Sequence, residues 1–171
     1  MLVEFSKLRG LPIFELENQT KIGELVDFFV DEENIKVEAA IAKTTGIFHH
    51  QKYVSVKEIV EVSKAAIILQ NEESMADPNE MVRLQKKVKK RARIVGEKVY
   101  TKGGEFLGTV YDYVIENSSL TLTRIYLKKL FDQRIIHTSA IVKIEQHKIT
   151  VKDNFAMVKP EPVPMGATKL A

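Results

Sequence analysis

The densest chemistry in the chain lies between residues 83 and 93, where Arg83, Lys86, Lys87, Lys89, Lys90, Arg91 and Arg93 supply seven bases and no acid. A concentrated patch of this kind makes a local potential that phosphates or acidic surfaces can meet, whereas interspersed charges cancel within a Debye length of about 8–10 Å. Residues 1–82 carry a net −7 and residues 94–171 a net +3, so the total of +3 conceals a strong division along the chain. Other chemical residue types are poorly arranged. His49 and His50 are adjacent, and adjacent side chains of an extended segment point apart. No third ligand stands at a helical spacing from them, and His137 and His147 are isolated. The chain has no Cys, which removes thiol nucleophiles, thiolate metal sites and iron–sulfur clusters together. Neither a phosphate loop nor a nucleophile elbow is present. The expectation is a protein with no enzyme activity, no metal and no cofactor, and with no small-molecule substrate evident.

A second candidate is apolar. Gly46-Ile47-Phe48 and Lys129-Leu130-Phe131 stand in matching places of the chain. The first expectation is that Ile47, Phe48, Leu130 and Phe131 plug the core, since large apolar side chains are usually buried. The alternative is an exposed docking patch, or a contact between the two halves of the chain.

The basic run needs an element to display it. Asp77-Pro78-Asn79-Glu80 combines an N-cap acceptor, a proline for the first helical turn and a following glutamate, which is a start signal. Leu84, Val88 and Ala92 then fall on one stripe, with the cations filling the remaining arc. This predicts a basic amphipathic connector helix within residues 73–92. Its stripe could pack on the neighbouring domains with the lysines solvated. Its cations could meet RNA phosphates. The same face could lie on an anionic membrane surface, the less favoured case because no Trp or Phe flanks the stripe.

On either side of this connector the chain repeats. Gly10 and Gly96, Gly23 and Gly108, Val26 and Tyr111, and Asp27 and Asp112 lie 85 or 86 residues apart, and Val54 to Leu69 matches Ile136 to Val151 at a spacing of 82. Each copy reads as five or six short strands with turns at Glu17-Asn18-Gln19-Thr20 and Lys102-Gly103-Gly104-Glu105. That many strands in about 70 residues predicts a mainly β fold of two small barrels, closed enough to hide their edges. Gly23 and Gly108 are expected at bulges or tight corners, and Asp27 and Asp112, at equivalent strand positions, are expected to satisfy backbone donors at a turn.

The segments Leu8-Arg9-Gly10-Leu11-Pro12-Ile13-Phe14, Lys21-Ile22-Gly23-Glu24-Leu25-Val26-Asp27 and Val54-Ser55-Val56-Lys57-Glu58-Ile59-Val60, with their second copies, resemble the PRC-barrel family. That barrel occurs in the H subunit of photosynthetic reaction centres and in the C-terminal half of a bacterial ribosome-maturation factor. The resemblance spans residues 6–71 and 92–153 and implies a tandem two-barrel protein with no catalytic signature. The expected domains are residues 1–72, a connector at 73–92, a second barrel at 93–156 and a proline-spaced flexible tail at 157–171. No run of apolar residues approaches the length of a membrane span, and the N-terminus lacks a leader pattern, which predicts a cytoplasmic protein. The expected role is a binding or assembly module, an adaptor with a protein partner. RNA or a ribosomal particle would be approached through the basic connector, and a membrane surface is the alternative.

Overall fold

The structure is a computed structural model that describes residues 1–77 and 91–154. The alternating apolar residues of both copies fall on strands. β1 (Leu2–Glu4) leads into a single helical turn, α1 (Phe5–Leu8). The first copy then forms β2 (Pro12–Glu15), β3 (Lys21–Asp31), β4 (Val37–Thr44), β5 (Gln51–Ser55), β6 (Ile59–Val62), β7 (Ile67–Leu69) and β8 (Met75–Ala76). After β9 (Arg91–Ala92), the second copy forms β10 (Lys98–Thr101), β11 (Phe106–Glu116), β12 (Thr121–Lys129), β13 (Asp132–His137), β14 (Ile141–Glu145) and β15 (Lys148–Val151).

Two sheets result, and they share one topology. The order β6-β7-β2-β3-β4-β5 in the first is repeated as β14-β15-β10-β11-β12-β13 in the second. Each has a single parallel pair, β2 with β7 and β10 with β15. Each also has a one-turn 3₁₀ helix, Val56–Glu58 or Thr138–Ala140, carrying the chain from one outer strand to the other. The barrels expected from the sequence do not close. β5 and β6, like β13 and β14, are joined through that turn without a ladder between them. The outer edge of β5 is instead covered by β8, which pairs Met75 and Ala76 with Val54 and Tyr53.

The long strands β3 and β11 are the backbone of each sheet. Register shifts between Leu25 and Asp27 and between Val110 and Asp112 leave Val26 and Tyr111 as bulge residues. A bulge bends its strand and re-aims the next side chains, which brings Asp27 and Asp112 inside, 7% and 6% exposed. Gly108, at φ 143°, lies beside a second irregularity, and a Cβ there would stand 2.9 Å from the Lys128 carbonyl oxygen. Gly23 occupies the equivalent place, 2.7 Å from the Lys43 carbonyl oxygen.

The sheets are knitted together by exchange. β1, at the start of the chain, pairs with β11 of the second sheet through Leu2↔Glu116, Val3↔Ile115 and Glu4↔Val114. Reciprocally, β9 pairs with β3 of the first sheet through Val30↔Ala92 and Asp31↔Arg91. The expected boundaries are therefore crossed at both ends. Ala92, expected on a helical stripe, is a buried strand residue, and residues 72–76 form a 3₁₀ turn and then a strand. The unpaired backbone edge of β3 overrides helical preference at residues 91 and 92, because edge donors and acceptors seek partners. The rest of the predicted connector helix, residues 78–90, lies outside the described residues, as does most of the tail.

Between the two sheets the hydrogen bonds are also reciprocal. Val37 donates its N–H to the Leu120 oxygen at 2.9 Å, and Leu122 donates to the Ile35 oxygen at 3.2 Å. Ile35 and Leu120 hold φ of 56° and 50°, and the carboxylates of Asp31 and Glu116 accept backbone N–H groups of the turns just before them. Val3, Phe5 and Leu8 from the N-terminus join residues of both sheets in one continuous core.

Candidate docking surfaces

The bulge carboxylates anchor the exchanged segments. Asp27 accepts the Phe28 N–H at 2.8 Å on one oxygen and the Arg93 Nε–H at 2.8 Å on the other. Asp112 accepts the Tyr113 N–H at 2.8 Å and the Ser6 N–H at 3.0 Å. The two carboxylates expected to satisfy backbone donors do so, within strands and not at turns, and each also holds the segment that precedes the other copy. Arg93, one of the seven basic candidates, is thereby committed to an ion pair with a nearly buried partner. Arg91 lends its backbone to β9, while Arg83, Lys86, Lys87, Lys89 and Lys90 lie outside the described residues.

Phe5 lies at the centre of this junction. It stacks on Tyr113 at 4.7 Å between centroids and meets Phe28 edge-on at 6.0 Å. Tyr113 is fully buried and its hydroxyl has no hydrogen-bond partner among the described residues. Burial pushes the phenol far above its usual range, with the negative charges of Asp27 and Asp112 adding to the effect and Arg93 opposing it. It stays protonated. The sequence reading missed the roles of Phe5 and Ser6. No signal in the sequence marks them, because a strand of three residues is too short to show a periodicity.

The apolar pairs lie at the far ends of β4 and β12. Ile47 and Phe48, in the loop between β4 and β5, are 93% and 79% exposed, and Leu130 and Phe131 are 82% and 102% exposed. Core plugging, the first expectation for these four residues, is therefore wrong. The hairpins extend past the sheet that would have to cover them, and the alternative reading as an exposed patch describes their placement.

The second tip is the more revealing. Lys129 pairs with Asp132, so Leu130 and Phe131 alone make the turn, and Leu130 holds φ at 54°. A tight hairpin with positive φ at its first central position favours glycine there. A leucine in this conformation costs about 1–2 kcal/mol from the clash of its Cβ, and an exposed side chain recovers nothing by packing. Three of the cations flanking the tips have partners, while Lys128, beside the second tip, is exposed. Lys43 reaches Glu24 at 2.9 Å, Lys52 reaches Asp77 at 2.8 Å, and Lys129 Nζ donates to the Phe106 carbonyl at 2.8 Å. Hydrogen bonds from Lys21 and Lys43 pull the Glu24 carboxyl down to about 2. His49 and His50 stand beside the first tip, where His49 Nδ1 engages the Thr44 carbonyl and the His50 backbone N–H donates to Thr44 Oγ1, both at 3.0 Å. The first tip thus presents apolar surface beside ion-paired lysines, and the second presents it beside the charges of Lys128 and Lys129.

Residues 86–157, which include strands β10 to β15 of the second sheet but not its exchanged strand β1, match the model of the PRC-barrel domain. None of the curated proteins matches the chain. Among the described residues no helix is long and apolar enough to cross a membrane.

Proposed function

We propose that this protein is a tandem of two PRC-barrel-like units that acts as a non-enzymatic binding module, docking a partner protein of a larger assembly through its apolar tips. The observation that carries the reading is Leu130, a large apolar residue held exposed at positive φ where glycine would relax the turn. Neither packing nor turn chemistry accounts for it, and contact with a partner does. The tandem character rests on the strand order that both sheets share. A second contact, with RNA or a ribosomal particle, is supported by the six cations of residues 83–91, Arg93 being held by Asp27. The membrane-surface alternative draws less support, because the cations beside the first tip are already paired.

Affinity capture from native lysate, with and without nuclease, tests both contacts. The double variant Leu130→Gly/Phe131→Ser is expected to lose its partner proteins while gaining about 1 kcal/mol of stability from the relaxed turn. Recovery of the same proteins with both tips replaced by polar residues would defeat the docking reading. Particles that vanish with nuclease and in a Lys86/Lys87/Lys89/Lys90→Gln variant would assign the connector to phosphate contact.

A further inference from the structure

Where the exchanged N-terminal strand meets the second sheet, the molecule forms a pocket of about 560 Å³. That volume is in the range of small-molecule sites, about 300–1,000 Å³. Three parts of the fold build it. β1 and α1 supply Glu4 and Lys7, β12 supplies Arg124 and Tyr126, and the turn between β6 and β7 of the first sheet supplies Lys64. That turn is fixed by two means. Ser63 Oγ accepts the N–H groups of Ala65 and Ala66, and Asn117 Nδ2, from the second copy, donates to the Val62 carbonyl at 2.9 Å.

Registers show how the side chains face one another. Glu4 is opposite Val114, and Val114 is opposite Arg124, so the three form one row across three strands. Two strand spacings place the backbones of Glu4 and Arg124 about 10 Å apart, with buried Val114 as an apolar floor between them. Tyr126, stacked on Tyr111 at 6.0 Å, extends the floor as a flat aromatic surface. Arg124, Lys7 and Lys64 make no ion pair with any described residue, in contrast with Lys43 and Lys52 beside the first tip. Three such cations against one carboxylate leave a surplus of two positive charges around an apolar floor.

We infer that this pocket binds a small phosphorylated organic molecule, its phosphate held by Arg124, Lys7 and Lys64 and its apolar body lying over Val114 and Tyr126. The surplus charge matches a phosphomonoester dianion, and a guanidinium fork grips phosphate oxygens in pairs. Glu4, on the opposite rim, can accept a hydrogen bond from a hydroxyl of the organic portion. Because the pocket is assembled from the exchanged N-terminal strand, the first sheet and the second, an occupant would tie the N-terminal strand and the first sheet's turn to the second sheet. This goes beyond the docking role, which uses surfaces elsewhere in the molecule.

The experiment is a titration of the full chain, isotope-labelled for NMR, with phenyl phosphate, inorganic phosphate and, as a neutral control, phenol. Saturable shifts are expected at the amides of Glu4, Lys64, Val114 and Arg124, tighter for phenyl phosphate than for inorganic phosphate and absent with phenol alone. Arg124→Gln, a change at an exposed position, should weaken binding about tenfold or more through loss of a charge-assisted contact. The Lys86/Lys87/Lys89/Lys90→Gln variant should bind as the parent does. Non-saturating shifts, shifts that track the connector variant, or an Arg124→Gln protein that binds unchanged would overturn the assignment.

Discussion

Tyr113 and Phe28 occupy equivalent positions of the two copies, each directly after a bulge carboxylate that accepts its N–H. They differ by one hydroxyl. In the first copy the position is apolar, and in the second a phenol is buried against Phe5 with its oxygen unpartnered among the described residues. A buried polar group without a partner costs about 1–3 kcal/mol. Tyr113→Phe should therefore be at least as stable as the parent, and more stable by about 1 kcal/mol if the penalty is typical. Urea unfolding monitored by circular dichroism measures this. A loss of stability beyond about 1 kcal/mol would mean that the hydroxyl has a partner. The equivalence of these two positions was legible as a repeat in the sequence. The exposure of Leu130 and Phe131 was not, because apolar character predicts burial on average and only the hairpin's reach past the sheet decides the particular case.

At the scale of elements, the exchange of β1 and β9 is the feature on which the junction depends. The repeated strands were legible because period-two alternation and glycine positions recur at fixed spacing. The exchange was not, since two- and three-residue strands carry no periodicity, and residues 91–92 read more naturally as the last turn of a basic helix. Their place in a strand comes from the free edge at the end of β3, a non-local cause. Phe5 is the key side chain of β1 and α1, being 2% exposed and in contact with aromatic rings of both sheets. Phe5→Ala should cost about 3–5 kcal/mol, the usual result of removing a buried aromatic ring. Its signature should be local as well as global. Amides of β1 and the facing end of β11, residues 114–116, are expected to exchange with deuterium much faster in the variant while those of β4 are affected less. Equal acceleration everywhere would show that β1 has no separate opening step.

For the whole molecule, the question is whether two copies of one topology unfold as two units or one. Length alone, 171 residues, would allow two domains. Against this stand the reciprocal backbone bonds at Val37 and Leu122, the two exchanged strands and a core that runs through both sheets. Unfolding either sheet alone would strip the other of a strand, of an aspartate-held segment and of part of its core. Each sheet is therefore worth less by itself than in company, and the expected behaviour is a single cooperative transition. Gly108→Ala supplies the test. The added methyl would meet the Lys128 carbonyl at 2.9 Å with φ at 143°, a strain of about 1–3 kcal/mol confined to the second sheet. In a urea titration read by NMR, amides of β3 and β4 should lose their native signals at the same lowered midpoint as those of β11 and β12. If the first sheet kept the parent's midpoint while the second fell, the copies would be independent domains and the exchange no more than a contact between them. A shared shift would instead mean that whatever occupies one half, a docked partner at a tip or a ligand at the junction, adds its binding free energy to the stability of both.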